Sequence, residues 1–274
     1  MESTKVLFIS QEITPYLPES EMSLICRNLP QGIQERGKEI RTFMPKFGCI
    51  NERRNQLHEV IRLSGMNLII NDSDHPLIIK VASIQSARMQ VYFIDNEDYF
   101  GRKYTLTENE GESFSDNDER TIFFTRGVLE TVRKLRWSPD VIHCHGWFTA
   151  LIPLLIKKAF KDDPMFVNSK VVYSVYNDDF NTPLNKAFKT KMLIDGINKK
   201  DVQVVDQPDF VNLTKLAVQY SDGIIMANGN VNSEIQEHVK NSGKSFLPFS
   251  GSDDYIEEYS LFYDKILAEN TSGT

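Results

Sequence analysis

The chain has 274 residues, of which 41% are hydrophobic and 25% are charged, and its formal net charge at pH 7 is −7. This composition is typical of a globular domain, and an acidic chain with only short basic clusters is not suited to binding a nucleic-acid backbone. No apolar run approaches the roughly 20 residues of a membrane span, and three cysteines without a C-x-x-C pair do not indicate a disulfide framework or a zinc site. We therefore expect a cytoplasmic protein with no membrane or nucleic-acid partner.

The first half of the chain alternates strand and helix patterns. The apolar run "KVLFIS" predicts a strand buried on both faces, and a helix is predicted from the apolar residues that follow at helical spacing, Met22, Ile25, Leu29 and Ile33. "EIRTFMP" is a second strand, and "HPLIIKVASI" with "MQVYFID" predict an inserted β-hairpin region. Residues 105–119 are polar and acidic without periodicity, so we expect a surface loop or lid there.

The second half continues the alternation. Helical spacing returns at Thr121 and stops at "SPD", after which "VIHC" is the next buried strand. Further helices are predicted in "GWFTALIPLLIKKAF", "VNLTKLAVQYS" and "DDYIEEYSLFYDKIL", and further strands in "KVVYSVY" and "GIIMAN", the last strand of the sheet. The alternation predicts an α/β fold, a doubly wound, mostly parallel sheet, followed by a final C-terminal helix.

The segment "VIHCHGWFTALIPLL" contains the densest group of candidate site residues. His143 and His145 share one face of the strand and Cys144 faces the other, but no third ligand at a known spacing accompanies the histidines, so a metal site is not predicted. Ligands of open α/β sheets bind at the carboxyl ends of strands. His145 and Trp147 therefore either edge a cleft or fill the core, and the pattern does not decide between these alternatives.

Taken in order, these segments resemble the N-terminal half of bacterial glycogen and starch synthases, which are retaining glucosyltransferases with two Rossmann-like domains (the GT-B fold). The matching segments are "KVLFISQEITPY", "LPQGIQERGKEIRTFMPKFG", "VYFIDNEDYFGRKY", "DNDERTIFFTRGVLETVRKLRWSPDVIHCHGWFTALIPLLI", "KVVYSVYND" and "VNLTKLAVQYSDGIIMAN". The resemblance covers nearly all of residues 4–236. It implies a single Rossmann-like, N-terminal-type domain at residues 1–250, and a closing helix with a short tail at residues 251–274 that packs back on this domain.

The resemblance implies a reaction and a set of site residues. In this family, glucose passes from ADP-glucose to the non-reducing end of an α-1,4-glucan, no cofactor is needed beyond this donor, and the N-terminal half mainly binds the glucan. Tyr176 stands where the family has a histidine near the reacting glucose. The substrate-binding positions implied by the resemblance are Glu12, Arg102, Tyr104, His145, Trp147, Asn177 and Asp178. Tyr99 and Phe100 are further aromatic candidates for glucan contact.

This sequence departs from the family pattern in four places. Gapless alignment puts the family's phosphate-binding K-x-G-G-L loop on residues 18–22, where Pro18 lacks an N–H and Glu21 adds negative charge. The family motif H-D-W-H-T has become "HGWFT", and Tyr176 replaces the histidine. The family's second domain, whose Arg-Lys pair neutralises the leaving diphosphate, has no counterpart in these 274 residues.

Two functional hypotheses remain open at this point. One is a glycogen synthase-type glucosyltransferase that is weak or inactive alone, because its donor-binding groups have changed. The other is a non-catalytic protein that binds α-glucan or acts as a scaffold in a glucan-synthesis complex, with a protein partner that supplies or replaces the second domain. Binding of ADP-glucose is doubtful in either case, since two carboxylates near the phosphate position repel it.

Overall fold

The computed structural model describes residues 3–108 and 111–269, so residues 109–110 of the predicted loop and the tail at 270–274 lie outside the described part. The strands are β1 (Lys5–Ser10), β2 (Glu39–Pro45), β3 (His58–Glu59), β4 (Met66–Ile70), β5 (Ser73–Ile84), β6 (Met89–Asp95), β7 (Val141–His145), β8 (Lys170–Val175), β9 (Gly223–Met226) and β10 (Ser245–Leu247). The α-helices are α1 (Glu21–Glu35), α2 (Glu97–Phe100), α3 (Asn117–Leu135), α4 (Ile152–Lys157), α5 (Phe188–Lys191), α6 (Phe210–Tyr220), α7 (Ser233–Asn241) and α8 (Tyr255–Ala268). Among the described helices, none combines the length and apolarity needed to cross a membrane.

One sheet organises the molecule, in the order β10-β9-β8-β7-β1-β2-β6-β5-β3, with β4 paired to β5. The strands from β10 to β6 run parallel, and β5 turns antiparallel against both β6 and β3. Parallel strands buried on both faces read as unbroken apolar runs, which is why the central strands were visible in the sequence. The predicted α/β class with a mostly parallel sheet is confirmed, as is the hairpin of β5 and β6.

Helices cover both faces of the sheet. Apolar residues of α3, α4 and α6 belong to the larger core, together with alternate residues of the strands such as Leu7 and Ile142. The opposite face, which includes Phe8 and Val141, is covered by the C-terminal half of α1 and by α8. Side chains on successive strand residues point to opposite faces, so each central strand contributes to both layers.

The C-terminal helix α8 packs against the sheet and against α1. Its buried stripe of Tyr259, Phe262, Tyr263 and Ile266 forms one cluster with the strands, and burial of each such side chain contributes about 1.5–3 kcal/mol. A Cβ added to Gly32 of α1 would lie 2.7 Å from the Ile256 side chain, so the two helices approach closely at that glycine. The predicted C-terminal helix is therefore present, whereas the domain division at residue 250 remains a prediction.

Three local predictions are corrected by the structure. "GIIMAN" is not the last strand, because β10 pairs with it in parallel; three partly exposed residues are too few to show a pattern. The helix expected from Gly146 onward is a short 3-10 helix at Trp147–Thr149, followed by the six residues of α4. Finally, α3 begins inside the predicted loop, since its acidic first turn, Asp118 and Glu119, complements the helix dipole.

Candidate functional site

The carboxyl ends of β1, β7 and β8 lie side by side and bring several predicted site residues together. Ser10 pairs in register with His145, and His145 pairs with Ser174. The segments that leave these three strands, which begin at Gln11, Gly146 and Tyr176, therefore start at the same edge of the sheet. This is the edge at which ligands of open parallel sheets bind.

His145 fills the core beneath this edge. It is fully buried, and its Nδ1 shares a hydrogen bond of 2.8 Å with the hydroxyl of Tyr176. Its ring lies 3.9 Å from the ring of His143, which in turn bonds Tyr263 and Ser174. Burial lowers the pKa of His145 to about 3, so the imidazole is neutral at physiological pH. Of the two alternatives for His145, the structure shows the core position.

Tyr176 is locked into the same buried network. The residue is 4% exposed, and burial raises the pKa of its phenol well above the usual value of 10.0. A neutral phenol that already shares its proton with an imidazole does not act as a base near neutral pH. Position 176 therefore carries a phenol that is held away from solvent, and no imidazole. The role of Tyr176 toward substrate remains a prediction.

Trp147 borders a cleft directly above this network. It lines a cavity of about 210 Å³ together with polar side chains from three loops, namely Gln11, Asn117, Asp178, Asn181 and Thr182. Trp147 is only 3% exposed, yet its indole N–H forms no hydrogen bond with any residue that the structure describes. The indole nitrogen itself is not fully enclosed, so this N–H is available to a ligand in the cleft.

Asp178 is fixed at the wall of this cleft. Its Oδ2 accepts a hydrogen bond of 2.9 Å from the backbone N–H of Trp147. Burial raises the pKa of this carboxyl to about 7; the Trp147 hydrogen bond lowers it in part, and the neighbouring carboxylates Asp179 and Glu12 raise it further. At neutral pH, Asp178 therefore exists both as a hydrogen-bond donor and as a charged acceptor.

The turn between β7 and the cleft requires glycine. Gly146 has φ +85° and ψ 158°, a region that essentially only glycine adopts. A Cβ at this position would lie 2.9 Å from Cβ of Gln11, whose Oε1 accepts a hydrogen bond of 3.1 Å from the backbone N–H of Phe148. Glycine is thus needed by the backbone at position 146, and it allows Gln11 to hold the start of the turn.

The N-terminus of α1 is capped and surrounded by carboxylates. Ser20 and Ser23 bond each other's backbone N–H groups at 3.0 and 2.8 Å, and the Ser20 hydroxyl donates to Glu12. Burial raises the pKa of Glu12, and the bond from Ser20 lowers it in part. Glu19 and Glu21 are exposed beside this cap, and residues 11–23 contain neither lysine nor arginine. This helix terminus does not provide the positive surroundings that a pyrophosphate needs.

The remaining predicted residues lie elsewhere or are buried. Arg102 forms two hydrogen bonds with Asp116, at 2.9 and 2.6 Å, and its guanidinium lies 4.1 Å from the ring of Phe114, so it ties the loop to the start of α3. Tyr104 is 42% exposed on this loop. Tyr99 and Phe100 are packed in the core, and Asn177 is exposed next to the cleft. Contacts of these residues with substrate remain predictions.

Several cleft residues were not predicted from the sequence. Asn117, Asn181 and Thr182 belong to segments without periodicity, so nothing in the pattern distinguishes them from other polar loop residues. Gln11 carried a usable signal, because it directly follows the carboxyl end of β1. Across residues 3–108 and 111–269, the structure brings no three His, Cys, Asp or Glu side chains close enough together to hold a metal ion.

Comparison with known proteins places these features in a family. Residues 5–246 match the family model described as the starch synthase catalytic domain. The glycogen synthase of Chlorobium limicola is 40% identical over 174 residues, which are 63% of this chain and 36% of that protein. The glycogen synthase of Chlorobium phaeovibrioides is 34% identical over 240 residues, 87% of this chain and 48% of the relative. The chain thus spans less than half the length of the relatives that it matches.

A solved structure shares the fold. The catalytic domain of starch synthase IV from Arabidopsis thaliana, bound to ADP and acarbose, superposes with a TM-score of 0.72 at 17% sequence identity. The match covers 90% of this chain and 51% of the plant chain. At this identity the similarity shows a common fold and does not by itself transfer the bound ligands.

Proposed function

Because the chain belongs to the starch synthase catalytic-domain family, which includes glycogen synthases, we propose that it binds an α-glucan in the cleft beside Trp147 and Asp178. In the same proposal, the 274-residue polypeptide alone has weak or no glucosyltransferase activity toward ADP-glucose. The proposed function is thus that of a glycogen synthase-like domain that retains the surface for the glucan acceptor and has altered residues where ADP-glucose would bind.

The observation that carries the glucan proposal is the free indole N–H of Trp147 in a polar cavity. Sugar hydroxyls are both donors and acceptors, and the cleft offers an indole donor, the Asp178 carboxyl and the amide of Asn181. A cavity of about 210 Å³ with a few convergent polar groups suits one sugar unit of a longer chain.

The altered donor side supports the second part of the proposal. Glu19 and Glu21 flank the helix terminus that would face a phosphate, and Tyr176 is a buried neutral phenol. Charge stabilisation of a leaving group is often the largest catalytic contribution, and removal of a single donor group costs about 3–4 kcal/mol of transition-state stabilisation. Residues 11–23 provide no cation for this purpose.

Calorimetric titration with maltoheptaose tests the glucan proposal. The expected result is binding by the natural protein and binding weakened about tenfold in Trp147→Phe, since the phenyl ring retains an apolar face but no donor. The chain has two tryptophans, and the indole of the other, Trp137, already donates to Glu39 at 2.6 Å. Trp137→Phe is therefore the matched control and should bind like the natural protein. Absence of heat at millimolar maltoheptaose would contradict glucan binding.

Release of ADP from ADP-glucose in the presence of glycogen tests the activity proposal. The expected result for the purified chain is release no faster than in buffer, with and without maltoheptaose as an added acceptor. The alternative, that this polypeptide is a competent glucosyltransferase, is favoured by its family membership, and it predicts glycogen-dependent release. Protein-dependent ADP release would establish the alternative and leave the glucan-binding result unaffected.

A further inference from the structure

A second cavity, of about 300 Å³, lies away from the Trp147 cleft and shares no lining residue with it. It is bounded by the N-terminal half of α1, the carboxyl end of β9, the segment 248–252 and the start of α8. Its size is at the lower end of the range for ligand sites, so a small group fits it better than an oligosaccharide. We name it the α1–α8 cavity.

Three aromatic side chains line the α1–α8 cavity. Tyr255 and Tyr259, one helical turn apart on α8, have ring centroids 5.7 Å apart and meet edge to face. Phe249 forms a further part of the lining and is 46% exposed, so part of its ring surface is accessible. The cavity therefore has ring surfaces available on more than one side.

Two carboxylates, Glu21 and Glu258, line the same cavity. Glu258 accepts a hydrogen bond of 2.7 Å from Ser250, and Glu21 accepts one from Asn228, so neutral groups hold both carboxylates in place. Neither forms an ion pair with a residue in the described ranges, and the residues that line the cavity include no lysine or arginine. The lining is thus negatively charged, with each carboxylate in the first turn of its helix and no cationic side chain beside it.

The hydroxyl of Tyr259 gives an independent indication of a ligand. The residue is 5% exposed and lines the cavity, yet its hydroxyl forms no hydrogen bond to any residue that the structure describes. The side chain is nearly buried but the hydroxyl oxygen itself is not fully enclosed, so it is open to a hydrogen bond from a ligand. A ligand that both contacts the phenol and carries positive charge satisfies this group and the two carboxylates together.

We propose that the α1–α8 cavity binds an organic cation, a guanidinium or ammonium group on an apolar stem, with its stem on the Tyr255, Tyr259 and Phe249 rings and its charge toward Glu21 and Glu258. Rings attract cations through their negative faces, and carboxylates add direct charge complementarity. An anion would meet repulsion here, and a neutral apolar ligand would desolvate both carboxylates without compensation.

The cation has two sources, a free organic amine or guanidine and the arginine or lysine side chain of a partner protein. Because the exposed Phe249 places the cavity at the surface, either can reach it. The site is independent of the proposed glucan function, since the two cavities have no residue in common.

The test compares n-butylguanidinium with N-butylurea, which has a similar shape and no charge. Calorimetry should detect n-butylguanidinium binding that weakens as salt is added, and at least about tenfold weaker binding of N-butylurea. Glu258→Gln and Glu21→Gln should each weaken n-butylguanidinium binding about fivefold to tenfold. Glu257→Gln is the matched control, because Glu257 is adjacent on α8 but pairs with Arg36 at 2.8 Å outside the cavity.

Tyr259→Phe keeps the ring and removes only the hydroxyl, so it tests the hydroxyl contact with minimal risk to folding. A short peptide with one arginine between glycines separates the two sources. Tighter binding of the peptide than of n-butylguanidinium identifies a protein side chain as the occupant, and weaker binding identifies a free cation. Equal binding of n-butylguanidinium and N-butylurea, or equal affinity in Glu21→Gln, Glu258→Gln and Glu257→Gln, would overturn the proposal.

Discussion

The phenol oxygen of Tyr263 lies 2.6 Å from Nδ1 of His143, although the two residues are 120 positions apart in the chain. This hydrogen bond joins α8 to the central strand β7 inside a fully buried core. The second ring nitrogen of His143 bonds Ser174 at 2.7 Å, so both of its nitrogens are satisfied. The network beneath the cleft is therefore completed by the C-terminal helix.

Tyr263→Phe should destabilise the protein by about 1–3 kcal/mol, because it leaves a buried imidazole nitrogen without its partner. The change is measured as the free energy of unfolding in urea, followed by circular dichroism. Tyr104→Phe removes a hydroxyl from an exposed side chain and should change this free energy by less than about 0.5 kcal/mol. Equal effects of the two substitutions would show that the Tyr263 hydrogen bond does not stabilise the fold.

Stability should fall as the pH falls below about 6.5. The pKa of His145 is lowered by burial from 6.5 to about 3, so between these values the unfolded chain binds a proton that the folded protein does not. Above pH 6.5 the titration of His145 does not reduce the free energy of unfolding. Between pH 6.5 and pH 3 it reduces this free energy by up to about 1.4 kcal/mol for each pH unit. The pKa of His143 is lowered by burial too, so it adds to this loss.

The measurement for this prediction is urea unfolding at several pH values from 7.5 to about 4.5. His145→Asn should show a shallower pH dependence than the natural protein, whatever its absolute stability. Asp178, whose raised pKa acts in the opposite direction between about 4 and 7, is present in both proteins and cancels in the difference. His58→Asn alters an exposed histidine and should leave the slope unchanged. An unchanged slope in His145→Asn would contradict a neutral buried imidazole.

Gly146→Ala and Gly37→Ala separate backbone strain from steric contact. Both glycines have positive φ, +85° and +82°, but a Cβ at Gly37 meets no atom within 4 Å, whereas one at Gly146 meets Gln11 at 2.9 Å. We expect losses of about 1 kcal/mol for Gly37→Ala and about 3 kcal/mol or more for Gly146→Ala. Urea unfolding of both variants measures the difference, and similar losses would argue against close packing of the turn on Gln11.

Glucan affinity should increase as the pH rises through about 7. The pKa of Asp178 is raised to about 7 by burial, and the carboxylate that forms above this pH accepts a stronger, charge-assisted hydrogen bond from a sugar hydroxyl. Maltoheptaose titrations at pH 6 and pH 8 should differ about threefold to tenfold in the natural protein and not in Asp178→Asn. Asp179→Asn, which alters an exposed carboxylate of the same cavity, should retain a pH dependence with its midpoint moved to lower pH, because Asp179 helps to raise the pKa of Asp178. If the pH dependence is lost in Asp179→Asn and kept in Asp178→Asn, the titrating group is Asp179, and the assignment to Asp178 is contradicted.

The sequence predicted the sheet better than the site, for a physical reason. Strands β1 and β8 are largely apolar runs because helices cover both of their faces, and such runs are visible without knowledge of the partners. In contrast, β10 has only three half-buried residues, and its position depends on its pairing with β9. Short edge elements are set by tertiary contacts rather than by local pattern.

Within the site, proximity could be predicted but orientation could not. The rule that ligands bind at the carboxyl ends of strands predicted that His145 and Trp147 edge a cleft or fill the core; in the structure Trp147 lines a cavity, whereas His145 is buried beneath it. That His145 points into the core depends on Tyr176, which is 31 residues away and bonds its ring. The polar wall formed by Asn117 and Asn181 depends on loop conformations that carry no periodic signal.

The indole N–H signals in a ¹H–¹⁵N NMR spectrum provide the most direct test of glucan binding beside Trp147. The two tryptophans give two such signals, and their assignment follows from the spectrum of Trp137→Phe. On addition of maltoheptaose, the Trp147 signal should shift as its free N–H acquires an acceptor, while the Trp137 signal, already bonded to Glu39, should stay in place. A Trp147 signal that does not move at saturating maltoheptaose would contradict the proposed function.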